Sequence, residues 1–429
     1  MRKVEVVPKR TRPWPARNPI CIATLDEHGN AVCACPPTPP STAPEPLTES
    51  TYDTAIGTAL VTLLGRRRFL TAAAGGITSL MLAACGASKG TNATTTASIS
   101  TTTSATSIAA AATTAATTGA PLWVYVFNVG TKDVTIIDAA TDKVLATRPL
   151  GAAVRWLSDE QRYWDGQHIW TYDFPQNKLV AIAIDPKSIK VVETIDTGTK
   201  GPGHSLMLAP DLKTAYVNSA GSNVIDVIDV PSKTVRDKIT VGSFPCDCFL
   251  SPDGKYGFTP ERDQDTVAKF DLATNKVIQR VDFPKGSKPY MLRVSPNGKE
   301  LWVQAAGNNT NNILDPDNLK ILYSETDGKG PVTNAWSPDG KYVFVTHEKD
   351  DTVSVWNPQT HKIIKEITVG QSSSNIGFTP DGKKSFIAVT GANSVAVIDM
   401  ASLSVSQQIT VGKSPQGLII FPAQPGSLS

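Results

Sequence analysis

The side chains best suited to chemistry follow a short bend motif in which a Gly is closely followed by a Pro, as in Gly242-Ser243-Phe244-Pro245. The Pro fixes φ at the bend, whereas the residues after it differ from copy to copy, as in binding loops on a shared scaffold. The polar candidates in these and the neighbouring loops are His204, Asp247, Tyr290, Arg293, Arg262, Asn334, His347, Glu348 and Asn375. We predict that they form a ligand-binding face, although an ordinary hydrated rim would use the same residue types.

Cys246 and Cys248 are the only cysteines in this part of the chain, and Asp247 separates them. Residues i and i+2 of a strand face the same side, so both thiols could bind one soft metal ion such as Cu(I). A disulfide would need Cα atoms near the upper limit for an unstrained bridge. Because small buried cysteines are common in protein cores, no metal and no cofactor is predicted, and the pair stays a weak metal candidate.

The elements that carry these residues repeat along the chain. A Pro-Asp or Pro-Asn pair recurs at intervals of 42 or 44 residues, beginning at Pro210, Pro252, Pro296, Pro338 and Pro380. An apolar residue followed by Asp or Asn recurs seven times, ending at Asp138, Asp185, Asp229, Asp271, Asp315, Asn357 and Asp399. Seven copies at this spacing are typical of a propeller or a solenoid.

Each copy contains four short apolar stretches separated by turn residues, and alternation such as Val353 and Val355 is typical of strands. The sequence therefore predicts an all-β, seven-bladed β-propeller of four-stranded antiparallel blades. The chain enters at Trp123 on what aligns as a second strand, and its last apolar stretch, 416–422, aligns with the first strands. We expect the C-terminal strand to close the first blade, which leaves no bare sheet edges between the ends of the ring.

The stretches Tyr216-Val217-Asn218 and Ser251-Pro252-Asp253-Gly254-Lys255 resemble the YVTN-type β-propeller repeat, and equivalent stretches recur at Val395 and Ser337. This family belongs with the surface-layer and amine-dehydrogenase-like propellers. The resemblance implies the fold but not one function, because its members include surface-layer proteins, binding proteins and enzymes.

The sequence before the repeats resembles an export signal. Arg66 and Arg67, followed by Phe69 and Leu70, resemble the twin-arginine motif, and the apolar run after them is shorter than a membrane-spanning helix. Leu82-Ala83-Ala84-Cys85 resembles the lipobox, which implies diacylation of the Cys85 thiol and a stable lipid anchor. We therefore expect an exported bacterial lipoprotein, held at the outer face of a membrane or at the cell envelope.

The expected organisation has five parts. Residues 1–64 are an unstructured extension, 65–85 the signal peptide with its lipobox, 86–120 a flexible Ser/Thr/Ala-rich linker, 121–424 the propeller and 425–429 a tail. The net charge of +2 gives no reason to expect nucleic acid as a partner. We expect a monomer that is tethered to a membrane and binds an unidentified protein, polysaccharide or small ligand.

Catalysis is the competing interpretation. A lactonase-like hydrolase would use Glu, Arg and His at the channel mouth, and Glu261-Arg262 and His347-Glu348 supply those residue types. A haem- or metal-dependent redox protein could use His204 or His347, but no haem-attachment Cys-x-x-Cys-His is present. Four histidines after Cys85 are too few for a His-rich copper cluster. The sequence favours binding over catalysis.

Overall fold

The computed structural model describes residues 23–25, 31–33, 121–159, 162–174 and 178–428. In the N-terminal unit, β1 (Ala23–Leu25) pairs antiparallel with β2 (Ala31–Cys33). The predicted export signal, Cys85 and the linker lie outside the described residues and stay predictions. No helix in the described ranges is long and apolar enough to cross a membrane.

In the second unit seven antiparallel sheets follow one another along the chain, and strands are numbered in chain order. The innermost strands, with their blades, are β29 (Pro415–Pro422, blade 1), β9 (Gly203–Leu208, blade 3), β13 (Phe249–Leu250, blade 4), β17 (Pro289–Val294, blade 5), β21 (Pro331–Trp336, blade 6) and β25 (Ser373–Phe378, blade 7). The second strands, from blade 1 to blade 7, are β3 (Leu122–Asn128), β6 (Ile169–Tyr172), β10 (Thr214–Ser219), β14 (Tyr256–Glu261), β18 (Leu301–Ala305), β22 (Val343–His347) and β26 (Lys384–Val389).

The two outer strand positions are complete in all seven blades. The third strands are β4 (Asp133–Asp138), β7 (Lys178–Asp185), β11 (Val224–Asp229), β15 (Thr266–Asp271), β19 (Thr310–Leu314), β23 (Thr352–Asn357) and β27 (Ser394–Asp399). The outermost strands are β5 (Lys143–Pro149), β8 (Lys190–Lys200), β12 (Thr234–Thr240), β16 (Lys276–Asp282), β20 (Ile321–Thr326), β24 (Lys362–Thr368) and β28 (Ser404–Thr410). Short 3₁₀ turns are formed by Arg262–Gln264, Thr390–Ala392 and Pro425–Leu428.

The predicted seven-bladed propeller and its closing strand are confirmed. β29 pairs antiparallel with β3, with Ile419 opposite Tyr125, so the two ends of the ring share blade 1. Apolar clusters join neighbouring blades all the way round, including Phe386 and Val397 of blade 7 with Val124 of blade 1. The ring is therefore closed both by a hydrogen-bonded sheet and by continuous core packing.

The repeated Asp at the end of each third strand has a local cause. In blade 3, the Asp229 carboxylate accepts hydrogen bonds from the hydroxyl and the backbone N–H of Ser232, which closes the turn to the outermost strand. Asp271 and Asp399 make the same pair of bonds to the residues three positions later. A short polar side chain that bonds its own turn is the known reason for Asp at such positions.

Every outermost strand carries a β-bulge at the same place. Where its register against the third strand shifts, one residue has no partner across the ladder, as Ile364 beside Val355 and Trp356. The seven extra residues are Leu145, Val192, Arg236, Ile278, Leu322, Ile364 and Ser406. The five apolar ones among them are 39% to 52% exposed.

Blade 2 departs from the pattern because its sheet contains three regular strands, β6, β7 and β8. Residues 155–159, which we call the strap, lie instead beside the innermost strand of blade 1. Ser158 forms a parallel bridge with Leu418, whose N–H donates to the Leu157 carbonyl at 2.9 Å. The place beside β6 is taken by a short segment in which Trp164 bridges Ile169.

Candidate functional site

The loop that enters each innermost strand lies beside the loop that joins the second and third strands. In blade 4 the Arg262 N–H donates to the Phe244 carbonyl at 3.1 Å, and in blade 6 the Glu348 N–H donates to the Gly330 carbonyl at 2.9 Å. Equivalent bonds occur in blades 1, 5 and 7. The two loop sets therefore share one end of the propeller, and we call this end the channel mouth.

In each entry loop the residue just before the Pro, or at the equivalent position, has positive φ. The seven residues are Trp156, Gly201, Phe244, Lys288, Gly330, Ser372 and Ser414. The left-handed conformation costs a non-glycine residue about 1–2 kcal/mol, and for a bulky side chain it is a genuine outlier. Trp156 and Phe244, with φ of 51° and 56°, are the two positions of this set that carry aromatic side chains, so packing or binding of the rings must compensate the strain there.

The two strained aromatic side chains meet His204 and Tyr290 over the channel mouth. The His204 ring lies 6.3 Å from Trp156, 6.3 Å from Phe244 and 5.5 Å from Tyr290, measured between ring centroids. Trp156 and Tyr290 meet edge to face at 6.0 Å, and the Tyr290 hydroxyl lies 3.3 Å from His204 Nε2. These four residues, which we call the aromatic wall, come from blades 2 to 5 and are all buried.

The strap explains how Trp156, a residue of blade 2, contacts residues of blades 3 and 5. Its backbone N–H donates to the Gln416 carbonyl of blade 1 at 3.0 Å, while its ring contacts residues of blades 3 and 5. A regular innermost strand in blade 2 would pair with β6 and keep this residue within blade 2. The displaced strap instead carries an aromatic side chain across the mouth.

Two guanidinium groups lie against the aromatic wall. Arg262 stacks on Phe244 at 4.7 Å and on Tyr290 at 5.6 Å, measured to the ring centroids. Arg155 of the strap lies 5.4 Å from the Trp156 ring and 4.4 Å from the Phe174 ring. Arg–aromatic stacking of this kind favours a rigid, partly desolvated surface.

Asp247 and Arg293, both predicted for the binding face, form a buried ion pair. The Asp247 carboxylate also accepts the backbone N–H groups of Cys248 at 2.9 Å and Leu292 at 3.3 Å. Arg293 stacks on Phe249 at 5.1 Å. These contacts join blades 4 and 5, so the pair lies in the wall of the propeller behind the mouth.

His347 lies in a separate network within blade 6. Its Nε2 is 2.9 Å from the Asp327 carboxylate and its Nδ1 is 2.9 Å from the Thr352 hydroxyl, while Trp356 donates to Asp327 at 3.2 Å. The imidazole is fully buried. Its neighbour Glu348 is half-buried, so the structure does not bring this His–Glu pair to the aromatic wall.

Glu261 is likewise engaged in a structural role. Its carboxylate is fully buried and accepts hydrogen bonds from the Gly242 N–H, the Thr266 hydroxyl and the Arg280 guanidinium. These bonds hold the entry loop that ends at Phe244. The carboxylate therefore fixes the loop and does not face the aromatic wall.

Cys246 and Cys248 form no disulfide with each other, and both are fully buried, in different clusters. Cys246 packs with Phe244 and Tyr290 at the mouth, whereas Cys248 packs in the core between blades 3, 4 and 5. Regular strand geometry begins only at Phe249, so the expected shared face does not form. Burial raises the pKa of the Cys248 thiol well above its ordinary value, and Asp247 adds to the effect. Among the described residues, no three His, Cys, Asp or Glu side chains could hold a metal ion together.

Asn334 and Asn375 lie on the innermost strands of blades 6 and 7. Asn334 is 1% exposed, and neither atom of its amide group has a hydrogen-bond partner among the described residues. Asn375 donates through Nδ2 to the Gln416 carbonyl, whereas its Oδ1 has no such partner. Buried amides usually have partners, so these two call for an explanation.

Sequence reasoning named His204, Tyr290 and Arg262, which the structure brings together, but it missed Trp156 and Phe244. The signal for Phe244 was present, because an aromatic residue stands before the Pro where the other bends have Gly, Lys or Ser. Trp156 belongs to a bend without a Pro, and its position depends on the strap. The strap has no counterpart in the repeat.

Comparison with known proteins agrees with this architecture. A family model described as a YNCE-like beta-propeller matches residues 78–378. No curated protein matches the chain.

Solved structures of similar fold include a gluconolactonase, a putative lactonase and a synthase. The periplasmic gluconolactonase of Pseudomonas aeruginosa is 18% identical, with a TM-score of 0.60 over 71% of this chain and 100% of that one. A putative 6-phosphogluconolactonase of Bacteroides fragilis is 17% identical, with a TM-score of 0.60 over 71% and 99%. Hydrazine synthase of Kuenenia stuttgartiensis is 21% identical, with a TM-score of 0.52 over 65% and 92%. At these identities the likeness establishes the fold alone.

Proposed function

Because the chain belongs to the YNCE-like β-propeller family, we propose that it is a binding protein whose channel mouth holds the partner. The observation that carries this proposal is the aromatic wall. Two of its rings, Trp156 and Phe244, occupy the left-handed bend position that all seven entry loops share, where the other blades place Gly, Lys or Ser. Aromatic side chains beside Arg are also enriched at the centres of binding surfaces.

We propose further that the propeller is displayed from a membrane. The twin-arginine-like Arg66 and Arg67 would direct export, and Cys85 would carry the lipid. Residues 86–120 would then act as a tether of at most about 120 Å when fully extended. This arrangement presents the channel mouth to partners outside the cell membrane.

A lactonase-like hydrolase is the second candidate, because a gluconolactonase and a putative 6-phosphogluconolactonase share the fold. The geometry favours it less than binding, since Glu261 and His347 are each buried in separate hydrogen-bond networks. Hydrolysis of glucono-1,5-lactone by the purified chain, measured by pH-stat, tests this candidate. Turnover abolished by Arg262→Ala and His204→Ala would replace the binding proposal with the enzymatic one.

Crosslinked capture from the native cell envelope tests the binding proposal. The variant His204→Ala/Tyr290→Ala/Arg262→Ala should lose the captured partner, because it removes half of the aromatic wall and the guanidinium stacked on it. The matched control is Ile278→Ala/Ile364→Ala on the exposed outer strands, which should capture as the unchanged chain does. Capture unaffected by the triple variant contradicts the proposed face.

Fractionation and mass spectrometry test the display. The chain should sediment with membranes and carry acyl groups on Cys85, and Cys85→Ala should release it. Arg66→Lys/Arg67→Lys should leave the precursor unexported. Stoichiometric haem or metal in the native protein would contradict a binding-only role.

A further inference from the structure

The channel mouth has two chemically different sides. The aromatic wall comes from blades 2 to 5, whereas the amide side chains of Asn334, Asn375 and Gln416, which we call the amide wall, come from blades 6, 7 and 1. One side therefore offers ring faces and the other offers neutral hydrogen-bonding groups.

The amide wall has unused hydrogen-bonding capacity. Both amide atoms of Asn334, the Asn375 Oδ1 and the Gln416 Oε1 are buried and have no hydrogen-bond partner among the described residues. On the opposite side, the indole N–H of Trp156 is also buried and has no hydrogen-bond partner among the described residues. The buried set thus contains both donors and acceptors, and none of these groups is charged.

The two walls meet at one backbone atom. The Gln416 carbonyl accepts from the Trp156 backbone N–H at 3.0 Å and also from Asn375 Nδ2. On the other side of the mouth, Val332 packs in the same apolar cluster as Trp156 and Tyr290, two residues before Asn334. These two contacts place residues of both walls next to each other.

We infer that the ligand of this mouth is a saccharide: an uncharged, hydroxylated ring that stacks on the aromatic wall. A hydroxyl group both donates and accepts, so it can satisfy an amide oxygen, an amide N–H and an indole N–H. A purely apolar ring would leave these buried groups unpaired, which is unfavourable. The inference rests on the proposed binding function and specifies its ligand class.

Entry of such a ring requires Trp156 to move, because its side chain is 2% exposed. The strap that carries it is held to blade 1 by a short parallel bridge instead of a full ladder within its own blade. We therefore expect Trp156 to turn outward when the ligand binds, and the Trp fluorescence to change.

Calorimetry and saturation-transfer NMR on the full chain test the inference, with maltotriose, cellotriose and chitotriose as probes and indole and adenosine as competing ring classes. At least one trisaccharide should bind, and Asn334→Leu should weaken that binding at least tenfold. The same substitution should raise the melting temperature, because it removes an unpartnered buried amide. This opposite effect on binding and stability separates a ligand contact from a structural residue.

Thr346→Val is the matched control, since its hydroxyl is also buried without a hydrogen-bond partner, in the same blade but on the second strand. It should leave trisaccharide affinity unchanged. Should Asn334→Leu fail to fold, Trp156→Phe, which keeps a ring but removes the indole N–H, should weaken binding in its place.

Three outcomes overturn the inference: no trisaccharide binds, trisaccharide binding is indifferent to Asn334→Leu and Trp156→Phe, or only adenosine or indole binds. If partner capture still depends on His204, Tyr290 and Arg262 in those cases, the proposed function stands and only the saccharide class is lost. If capture is also indifferent to these residues, both fail.

Discussion

The Asp247 carboxylate and the Arg293 guanidinium form an ion pair of 2.5 Å between blades 4 and 5, with both side chains at most 1% exposed. Burying two charges is costly, and their attraction offsets that cost only when the geometry is good. The two backbone N–H groups that also donate to Asp247 complete such a geometry. The pair therefore acts as a fixed joint between neighbouring blades.

Arg293→Met should destabilise the chain by about 3–5 kcal/mol, because it leaves the buried Asp247 carboxylate without its cation. Adding Asp247→Asn to the same variant should restore part of this loss, since the remaining side chain is neutral. Urea denaturation followed by circular dichroism measures both variants. Equal stability of the single and double variants would contradict a charge-based joint.

Phe244→Gly and Lys288→Gly change the same left-handed bend position in blades 4 and 5. Lys288 is exposed, so replacing it loses no packed side chain. Lys288→Gly relieves the backbone strain but gives the unfolded chain more conformational entropy, and the first effect should slightly exceed the second. The free energy of unfolding should therefore rise by about 1 kcal/mol or less. Phe244→Gly should cost about 2 kcal/mol or more, because loss of the packed ring exceeds the relief. Unfolding free energies from urea denaturation compare them, and equal values would show that the ring does not compensate the strain.

Ile419→Ala should destabilise the whole ring by about 2–5 kcal/mol, because the side chain is fully buried in the strand that closes blade 1. Val144→Ala on the exposed outermost strand of the same blade is the control and should change stability by about 0.5 kcal/mol or less. Thermal unfolding should stay a single transition in both. A separate early transition in Ile419→Ala would mean that blade 1 unfolds independently.

Acid should weaken the propeller through its repeated Asp turns. Hydrogen bonds from the Ser232 hydroxyl and N–H lower the pKa of Asp229, those of Thr274 lower the pKa of Asp271, and those of Ser402 lower the pKa of Asp399. A carboxylate with a lowered pKa in the folded state stabilises the fold above its unfolded pKa. That stabilisation is lost as the pH falls through the folded pKa.

The variant Ser232→Ala/Thr274→Ala/Ser402→Ala should therefore show a shallower loss of stability below about pH 4 than the unchanged chain. Ser222→Ala is the control, because its hydroxyl has no hydrogen-bond partner in the described chain. Urea denaturation at a series of pH values gives the slopes. Identical slopes for the triple variant and the unchanged chain would show that these turns do not contribute to the loss of stability in acid.

The repeat made the fold predictable from sequence, because each blade repeats the same turn chemistry at fixed spacing. The Asp at the end of a third strand and the Pro-Asp turn between the first and second strands both mark hydrogen bonds that the folded blade makes, such as Ser251 to Asp253. The closing strand followed from counting these markers. Local physics and global topology agree at these positions.

The site was only partly predictable, because its centre lies where the repeat fails. Periodicity located His204 and Tyr290 on innermost strands, and both lie at the mouth. It could not locate Trp156, since the strap leaves its own blade to pair with blade 1. Nor could it show that Asp247 and Arg293 form an ion pair with each other, because that contact joins residues on different blades.

The bulges of the outermost strands limit how these molecules can associate. A flat edge with exposed residues such as Ile278 and Leu322 would be a template for a strand of another chain. The bulge instead interrupts the hydrogen-bonding row beside each exposed apolar residue and increases the local twist. The outer edge of each blade is therefore a poor template for edge-to-edge pairing between molecules.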